Sequence, residues 1–367
     1  MKVFILGTSV QSILNFRKEL IQCFIAKGID VTAISSNSDY ISLNKLGDMR
    51  VVFQKITLKR NGLNLIYDIK TFIEIFTLMR RVRPGFALAY GVKLVVWGGM
   101  AARISQVPFF ALITGLGFAF HGDSFKRRLL TKMVTYLYKI SLKNSKAVIF
   151  QNIDNRNVFV KKGIVPFSKT HVVNGSGVNT VKFSISNFPK VNTNFLCISR
   201  LLGEKGLREY AAAAKIVKKQ FPDIEFVLVG SEDSSPDAIS LTEVDSWSRY
   251  INYKGSTPNI KEYIKDCHVY VLPSYHEGLP KSTLEAMSMG RPILTTNAVG
   301  CKETVEDGVN GFLVPIGSAT HLAEKMVWYI KNKDKIQAMG AESRKIVENK
   351  FDVKKINKKM LEILEIK

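Results

Sequence analysis

The sequence predicts an α/β protein with two doubly wound parallel sheets, one in each half of the chain, and a cleft between the two domains. Short apolar segments alternate with helical patterns throughout the chain, as they do where helices connect parallel strands. A segment with little periodicity, 184–193, separates the two series. The length of 367 residues exceeds one ordinary core and suits two domains of roughly 150–200 residues.

The first half contains seven predicted strands and five predicted helices. The strands are expected at 2–6, 30–34, 51–55, 86–89, 109–112, 147–150 and 170–173. The helices are expected at 11–26, 65–82, 92–105, 125–144 and 154–162. We therefore predict an N-terminal domain over residues 1–185.

A second series of elements begins after the linker. Its strands are expected at 195–199, 225–229, 251–253, 269–272, 293–295 and 311–314, and its helices at 206–220, 260–265, 282–289, 321–331 and 333–349. The domain is expected to span residues 186–350, with a last basic helix over 351–367 that crosses back towards the first domain. Ligands of doubly wound sheets bind at the carboxyl ends of the strands, so the loops that follow strands are the first places to search for a site.

The formal net charge of +22 is distributed unevenly. Residues 1–185 contain 27 Lys and Arg against 8 Asp and Glu, a net charge of +19, whereas residues 186–367 have a net charge of +3. Such asymmetry indicates an anionic partner, either nucleic acid or the cytoplasmic leaflet of a membrane. The helix predicted at 125–144 mixes cations with aromatics, which is typical of a membrane-interface helix and equally of an ordinary helix with a basic face.

The four cysteines are scattered singly, which favours neither a disulfide framework nor a zinc site. The apolar run at 1–6 is too short for a signal peptide, and the uncharged stretch 104–121 contains a proline and two glycines, which argues against a spanning helix. There is no Asp-x-Asp pair, so neither a metal nor another cofactor is expected. These patterns predict a chain that is soluble or peripheral.

The stretch from His276 to Ala286 is the most informative part of the sequence. It places Glu277 and Glu285 eight residues apart, after an apolar strand and at the start of a helix with Pro280 in its first turn. First-turn amides have no intrahelical partner and form an anion site. One carboxylate at the mouth and one deeper suit a ligand with phosphate between two polyols, which is a sugar nucleotide.

Three further loops follow strands of the second domain. The first contains Arg200 and Lys205, a guanidinium and an ammonium suited to neutralising a diphosphate leaving group. Gly230 ends a buried strand, where a planar base can approach the backbone, and Glu303 follows another strand and can reach a sugar. Taken singly, these features have ordinary structural explanations as surface carboxylates, a solvated loop pair or a plain turn. Together, at one edge of one sheet, they favour a binding site.

The first domain carries weaker signals. Gly7, Thr8 and Ser9 lie between a strand and a helix that contains Arg17, which is consistent with a phosphate loop or with a plain turn. Gly115 and Gly117 allow a close backbone approach to a ligand. His121 can donate to a sugar hydroxyl or a phosphate, or can simply be solvated. We take all seven residues as candidate acceptor or phosphate ligands.

The Arg200–Lys205 pair, the spacing of Glu277 and Glu285 and the paired domains resemble family 4 retaining glycosyltransferases, which have the GT-B fold of two Rossmann-like domains with an interdomain cleft. The segments 114–117, 227–230 and 272–278 are most similar to the bacterial capsule, O-antigen and protein-glycosylation branch, including N-acetylgalactosaminyltransferases that act on undecaprenyl-diphosphate-linked sugars. Many relatives have a double glycine after the first strand and a sugar-binding histidine near 114–117, where this chain has neither.

The resemblance implies a role for each residue. Arg200 and Lys205 would bind the donor diphosphate, Glu277 would support charge at the reacting centre, and Glu285 would hold the ribose hydroxyls. Backbone groups of Gly278, Leu279 and Pro280 would contact sugar or phosphate. The remaining donor-binding residues would be Gly230, Ser282 and Glu303.

The function expected from these observations is transfer of a hexose or N-acetylhexosamine from a nucleotide sugar, by preference a UDP-sugar, to a lipid-diphosphate-linked saccharide. The enzyme would be cytoplasmic and peripheral at the inner face of the plasma membrane, with its basic domain facing anionic lipid. One alternative is a nucleotide-sugar epimerase or phosphorylase of the same fold. The other is a basic nucleic-acid-binding protein, which the charge permits but no recognition motif supports, so no specific nucleic acid is expected as a partner.

Overall fold

The computed structural model describes residues 1–59, 62, 64–116 and 125–366, and the side chains of residues 125–127 are outside the description. The chain divides into two compact units. The first unit comprises Met1–Ser176 and Ile356–Lys367, and the second comprises Gly177–Lys355.

The first unit is built on a seven-stranded sheet in which every neighbouring pair is parallel. Its strands are β1 (Lys2–Leu6), β2 (Asp30–Ser35), β3 (Val52–Lys55), β4 (Phe86–Tyr90), β5 (Phe109–Ile113), β6 (Ala147–Phe150) and β7 (Thr170–Val172). Their spatial order is β3-β2-β1-β4-β5-β6-β7. All residues of β4, β5 and β6 are buried, as expected for strands covered on both faces. All seven predicted strands are present.

Among the described residues, seven α-helices lie wholly or mostly in the first unit. They are α1 (Val10–Ala26), α2 (Tyr40–Asp48), α3 (Leu65–Val82), α4 (Val92–Ser105), α5 (Phe125–Leu142), α6 (Ile153–Lys161) and the C-terminal α13 (Val353–Ile363). Sequence analysis missed α2, which has Asp39 as its N-cap but buries only Ser42 and Leu46. A nine-residue helix with so few buried positions has little apolar periodicity.

Two apolar cores cover the two faces of the first sheet. One joins side chains of α3, α4 and α5 to the sheet. The other joins α1 and α2 to the opposite face and includes Ile356, Met360 and Leu364 of the C-terminal segment. These three side chains are at most 5% exposed, which explains why the last residues of the chain belong to the first unit.

The second unit repeats this topology with six parallel strands. They are β8 (Phe195–Ile198), β9 (Phe226–Val229), β10 (Asn252–Tyr253), β11 (Val269–Leu272), β12 (Ile293–Thr296) and β13 (Gly311–Val314), in the order β10-β9-β8-β11-β12-β13. Its helices are α7 (Leu207–Lys218), α8 (Leu241–Asp245), α9 (Ile260–Lys265), α10 (Lys281–Ser288), α11 (Ala319–Lys331) and α12 (Lys333–Ile346). A π-helical turn, Val347–Phe351, follows α12.

Sequence analysis missed α8, a five-residue helix inside a long polar connection. It also predicted that α10 begins at Ser282 with Pro280 in the first turn. The helix begins at Lys281, and Pro280 is its N-cap, in an extended conformation. Proline tolerates this position because its missing N–H has no intrahelical partner there in any case.

The boundaries between the units differ from the predicted 185/186 and 350/351. Val178 and Phe183 precede the aperiodic segment but are buried in a core of the second unit, which also contains Phe351. The boundaries therefore lie at 176/177 and 355/356. With these boundaries the first unit has 29 basic and 10 acidic residues, a formal net charge of +19, and the second has a net charge of +3. None of the helices that the structure describes is long and apolar enough to cross a membrane.

Candidate functional site

In the second sheet the chain passes from β8 to β9 on one side and returns to β11 on the other. The loops that follow β8 and β11 therefore diverge at a topological switch point, where doubly wound sheets open a crevice for ligands. Arg200 and Lys205 lie on the loop after β8, and Glu277 lies on the loop after β11. The sequence alone predicted these residues at one sheet edge, and the strand order places them at the centre of that edge.

Lys205 and Glu277 form an ion pair at this edge. Lys205 Nζ donates to Glu277 Oε1 at 2.7 Å, and the two side chains are 12% and 16% exposed. Burial lowers the pKa of Lys205, but the charge of Glu277 and its hydrogen bond outweigh that effect, so the pKa lies above its ordinary value. Lys205 is therefore a protonated, largely desolvated ammonium at neutral pH, and its charge acts at short range on any bound anion.

Arg200 is held by a carboxylate that sequence analysis did not single out. Its guanidinium pairs with Asp233, on the loop after β9. Asp233 also accepts hydrogen bonds from the backbone N–H and the hydroxyl of Ser235. Although burial raises the pKa of Asp233, Ser235 and Arg200 outweigh it and hold the pKa below its ordinary range. Both candidate diphosphate ligands thus have an acidic partner.

Close backbone packing fixes the loop that carries Glu277. The backbone N–H of Glu277 donates to Val299 O at 2.9 Å, and the backbone N–H of Tyr275 donates to Glu204 O at 2.9 Å. Gly206 and Gly300 have φ of +70° and +85°, and a Cβ on either would overlap a backbone carbonyl, that of Pro273 or of Glu277 respectively. The loops after β8, β11 and β12 therefore interlock through main-chain contacts that only glycine permits.

The start of α10 is tied to the end of β8. The hydroxyl of buried Tyr270 lies 2.6 Å from Ser282 Oγ, which donates to Ile198 O at 3.3 Å. The predicted ligand Ser282 thus uses its hydroxyl within the protein. Pro280 has no N–H and no side-chain cap precedes α10, so the backbone donors at this helix start are those of the first helical residues together with Gly278 and Leu279.

Glu285 is buried in α10 and 7% exposed, while the Leu279 side chain belongs to an apolar core. Burial raises the pKa of Tyr270, and the charges of Glu285 and Glu277 add to that shift. The expected pairing of Glu277 at the mouth with Glu285 deeper in the site stays a prediction.

Gly230 and Glu303 lie on the two loops beside the switch point. A Cβ at Gly230 would overlap the carbonyl oxygen of Ser199, and Tyr253 donates to Gly230 O at 2.8 Å. The packing of neighbouring loops therefore already requires glycine at this position, whatever ligand approaches it. Glu303 lies in a 3-10 turn, Lys302–Thr304, after β12.

Two family models match the chain in succession. Residues 7–152 match the model "Glycosyl transferase 4-like", and residues 179–346 match "Glycosyl transferases group 1". The first range falls within the first unit and the second within the second unit. The chain belongs to the glycosyltransferases.

Curated relatives agree with this assignment. The N,N'-diacetylbacillosaminyl-diphospho-undecaprenol alpha-1,3-N-acetylgalactosaminyltransferase of Campylobacter jejuni is 29% identical over 345 residues, which cover 89% of this chain and 88% of the relative. The UDP-Gal:alpha-D-GlcNAc-diphosphoundecaprenol alpha-1,3-galactosyltransferase of Escherichia coli is 26% identical, over 90% and 87% of the two chains.

Solved glycosyltransferase structures share the fold. HepE of Anabaena, solved in complex with UDP-glucose, superposes with a TM-score of 0.80 at 18% identity, over 100% of this chain and 99% of HepE. Sucrose-phosphate synthase of Thermosynechococcus elongatus superposes with a TM-score of 0.81 at 15% identity, over 100% and 98%. The two Rossmann-like units thus form a GT-B glycosyltransferase, as predicted.

In the 4-like domain of this glycosyltransferase, Gly7, Thr8 and Ser9 form the turn between β1 and α1. Ser9 caps α1 by accepting from Ser12 N–H at 3.0 Å, and a Cβ at Gly7 would overlap the Tyr90 hydroxyl. These contacts account for the turn structurally, so a phosphate-binding role for the loop stays a prediction.

Arg17 is the predicted first-domain ligand with the most unusual environment. It is 4% exposed, burial lowers its pKa to about 10, and its guanidinium carbon lies 5.3 Å from the centroid of the Tyr90 ring. Its Nη1 donates to Phe16 O at 3.0 Å, but Nε has no hydrogen-bond partner. No carboxylate among the described residues pairs with Arg17, and such a buried charge favours an anion.

The remaining predicted ligands of the first domain follow β5. A Cβ at Gly115 would meet no atom of the described residues within 4 Å. Gly117 and His121 lie outside the described residues. Across the described ranges, no group of three or more His, Cys, Asp or Glu side chains has an arrangement that could hold a metal ion.

The sequence patterns did not single out Asp233 or Tyr270, which contact the candidate site residues Arg200 and Ser282. Asp233 lies three residues after Gly230, in the loop after a buried strand, so its position was a usable signal. Its pairing with Arg200, 33 residues away, depends on the adjacency of β8 and β9. Tyr270 could not be distinguished from the other residues of its strand, because every residue of β11 is buried and its aromatic ring fits the apolar run.

Proposed function

We propose that this glycosyltransferase transfers a hexose or N-acetylhexosamine, with retention of configuration, from a UDP-sugar to a lipid-diphosphate-linked saccharide in the synthesis of a bacterial surface glycan. The observation that carries the proposal is the set of charged groups at the β8/β11 switch point. Two cations, Lys205 and Arg200, are placed to bind a diphosphate. The carboxylate of Glu277 lies beside Lys205.

In the proposed donor site, each part of a sugar nucleotide would bind a different structural element. The diphosphate would bind Arg200 and Lys205 and the amides at the start of α10, where backbone donors and the helix dipole favour an anion. Glu285, buried in the same helix, would bind the ribose hydroxyls, and Glu277 would face the transferred sugar. Gly230 and Glu303 would line the base and the sugar respectively.

The reaction would proceed on one face of the sugar. The bond between the anomeric carbon and the diphosphate oxygen breaks, and the acceptor hydroxyl oxygen bonds to that carbon from the same side. The proton of that hydroxyl passes to an oxygen of the departing diphosphate. Charge accumulates on the leaving group, so Lys205 and Arg200 stabilise the transition state more than the bound donor, and this difference is the source of catalysis.

The first unit would bind the acceptor. Its formal net charge of +19 suits a diphosphate linked to a lipid and an anionic membrane surface, and Arg17 is a buried cation available to an anion. The names of the relatives from Campylobacter jejuni and Escherichia coli include undecaprenol linked to a diphosphate, which supports this acceptor class. The enzyme would act at the inner face of the plasma membrane.

The first experiment is a thermal-shift panel with UDP-, GDP-, dTDP- and ADP-sugars in the presence of EDTA. We expect the melting temperature to rise with UDP-sugars, because a ligand that binds only the folded state stabilises it. Stabilisation by another nucleotide class would overturn the UDP assignment, and stabilisation that requires added divalent metal would overturn metal independence.

A transfer assay with a detergent-solubilised lipid-diphosphate saccharide tests the reaction itself. The expected product is an elongated acceptor whose new linkage has the anomeric configuration of the donor. Sugar 1-phosphate formed when inorganic phosphate is supplied would instead identify a phosphorylase activity of the same fold, and an isomerised donor formed without acceptor would identify an epimerase.

A further inference from the structure

The outward face of α3 exposes an unusual row of aliphatic side chains. Leu65, Ile66, Ile69 and Ile73 are 69%, 79%, 46% and 53% exposed. At 100° per residue they fall within one stripe about 100° wide, while the opposite face of the helix buries Ile75, Leu78 and Met79 in the core. In its first half the buried side chains of the helix are the polar Asp68 and Thr71, whereas the four aliphatic side chains of this half face solvent.

The acidic residues of α3 are absent from this outward face. Asp68 is 6% exposed and holds Lys93 Nζ at 2.8 Å. Glu74 accepts from both the backbone N–H and the hydroxyl of Thr57, at 2.5 and 3.0 Å. Both carboxylates are thus engaged by neighbours within the unit. Every residue of α3 is described, and its exposed side chains carry no negative charge.

Two lysines lie beside the stripe. Lys70 is exposed beside Ile69 on α3, and Lys59 Nζ lies 4.1 Å from the centroid of the Tyr67 ring. We call Leu65, Ile66, Ile69, Lys70 and Ile73 the α3 surface. An exposed aliphatic row flanked by lysines has the composition of helices that lie in the interface of an anionic bilayer.

Topology places the α3 surface near the carboxyl edge of the first sheet, the edge at which doubly wound sheets generally bind ligands. All strands of this sheet are parallel, and α3 follows β3, so its first turns lie near the carboxyl ends of the strands. Tyr40 and Ile41, at the start of α2, and Leu129, in the second turn of α5, are also at least 62% exposed near that edge. Lipid-facing residues here would keep the mouth of the acceptor site close to the membrane.

We propose that the α3 surface docks this glycosyltransferase on an anionic lipid bilayer. The proposal rests on the proposed function in one respect, that the acceptor is held in a bilayer. Insertion of the four aliphatic side chains supplies apolar burial, while lysines attract anionic headgroups, and stable binding at a membrane surface generally needs two such contributions. A protein partner would need an apolar patch bordered by acidic side chains. An anionic bilayer has both features, apolar chains and anionic headgroups, over its whole surface.

The test is flotation of the purified protein with phosphatidylglycerol-containing vesicles and with pure phosphatidylcholine vesicles. The variant Ile66→Ser/Ile69→Ser removes two aliphatic side chains from solvent-exposed positions and leaves the core intact. The matched control is Val181→Ser/Val191→Ser, which changes two residues of the second unit that are 75% and 65% exposed. A further variant, Lys70→Ala, removes one cation.

We expect wild-type protein and the valine control to float with anionic vesicles and to remain unbound with phosphatidylcholine. The isoleucine variant should bind anionic vesicles at least about tenfold more weakly, because its loss of buried apolar area weakens partitioning. Lys70→Ala should weaken binding about threefold to fivefold at low salt and less at high salt. Equal binding by the isoleucine variant and wild type, or no vesicle binding by wild type, would overturn the proposal.

Two controls separate this proposal from the proposed function. Transfer to an acceptor whose lipid is too short to enter a bilayer should be equal in wild type and the isoleucine variant, since donor and acceptor sites are unchanged. If wild type transfers sugar but never binds vesicles, the α3 surface is not a membrane surface while the enzymatic proposal stands. Sedimentation velocity tests the other occupant: a dimer that the isoleucine substitutions dissociate would assign the α3 surface to a second copy of the chain.

Discussion

The six strands of the second sheet have the same order as the first six strands of the first sheet, yet the residues at the two carboxyl edges differ in kind. At the second sheet, Lys205 and Glu277 pair at 2.7 Å, Arg200 pairs with Asp233, and glycines interlock the supporting loops. At the first sheet, Arg17 is buried without a carboxylate partner among the described residues, and exposed apolar and basic side chains surround that edge. One topology thus supports a compact, charge-balanced edge, where we propose the donor site, and a cationic edge suited to a partner outside the protein.

The largest effect on activity should follow from removing the ammonium at the second edge. Lys205→Ala should lower kcat/KM for transfer by at least about 100-fold, because the leaving diphosphate loses a desolvated cation and Glu277 loses its partner. Lys215→Ala, on α7 in the same unit and away from this edge, serves as the control in the same transfer assay. Activity of Lys205→Ala within threefold of wild type would contradict the donor-site assignment.

The rigidity of the second edge can be tested at a glycine. Gly300→Ala should destabilise the second unit by roughly 2–4 kcal/mol, since it combines a strained positive φ with overlap against the Glu277 carbonyl. Gly308→Ala has a similar φ of +77° and no neighbouring atom within 4 Å, so it should cost only about 1 kcal/mol. Urea denaturation of both variants measures the difference, and equal costs would mean that close loop packing contributes nothing.

At the carboxyl edge of the first sheet, removing a buried cation should not lower the stability of the protein. Replacing buried Arg17 with methionine keeps much of its volume and removes an unpaired charge, so the melting temperature should rise or stay unchanged. The same change should raise the KM for the lipid-diphosphate acceptor about tenfold and leave the thermal shift by UDP-sugar intact. Lys18→Met, on the exposed side of α1, is the matched control. A lower melting temperature with an unchanged KM would assign Arg17 a structural role.

A smaller effect is expected at Asp233. Donor diphosphate competes with this carboxylate for Arg200, so Asp233→Asn should tighten UDP binding about threefold to tenfold in calorimetric titration. Glu232→Gln, at the exposed neighbouring residue, removes a charge without touching that pair. Weaker UDP binding by Asp233→Asn alone would mean that Asp233 positions Arg200 for the donor instead of competing with it.

The smallest effect concerns pH. Glu277 raises the pKa of Lys205 above its ordinary value of 10.5, so the stability contributed by Lys205 protonation is fully present below that value and is lost only as pH rises through the higher folded-state pKa. The difference in melting temperature between wild type and Lys205→Met should therefore be constant from about pH 7 to pH 9.5. A difference that declines within this window would show that the lysine is not held protonated by the pair.

The sequence predicted the strands well because parallel buried strands leave continuous apolar runs, which are local signals. It missed α2 and α8, whose few buried side chains produce little periodicity. It correctly predicted a glycosyltransferase of the GT-B fold, but the pairing of Arg200 with Asp233 and the need for glycine at 206 and 300 depend on which loops become neighbours. Such contacts between distant segments are determined by strand order and are not encoded in any single motif.

If the donor binds as we propose, the interlocked loops of the second unit limit how donor preference can change. Glu204 O, Glu277 O and Val299 O belong to three separate segments that meet main chain to main chain, so none of these segments can change its backbone path alone. Chimeras that exchange 199–206, 273–280 and 297–303 together between related enzymes should fold and carry the donor preference of the segment source. Chimeras that exchange one segment at a time should lose solubility before they acquire a new donor. The three segments should therefore change together during evolution.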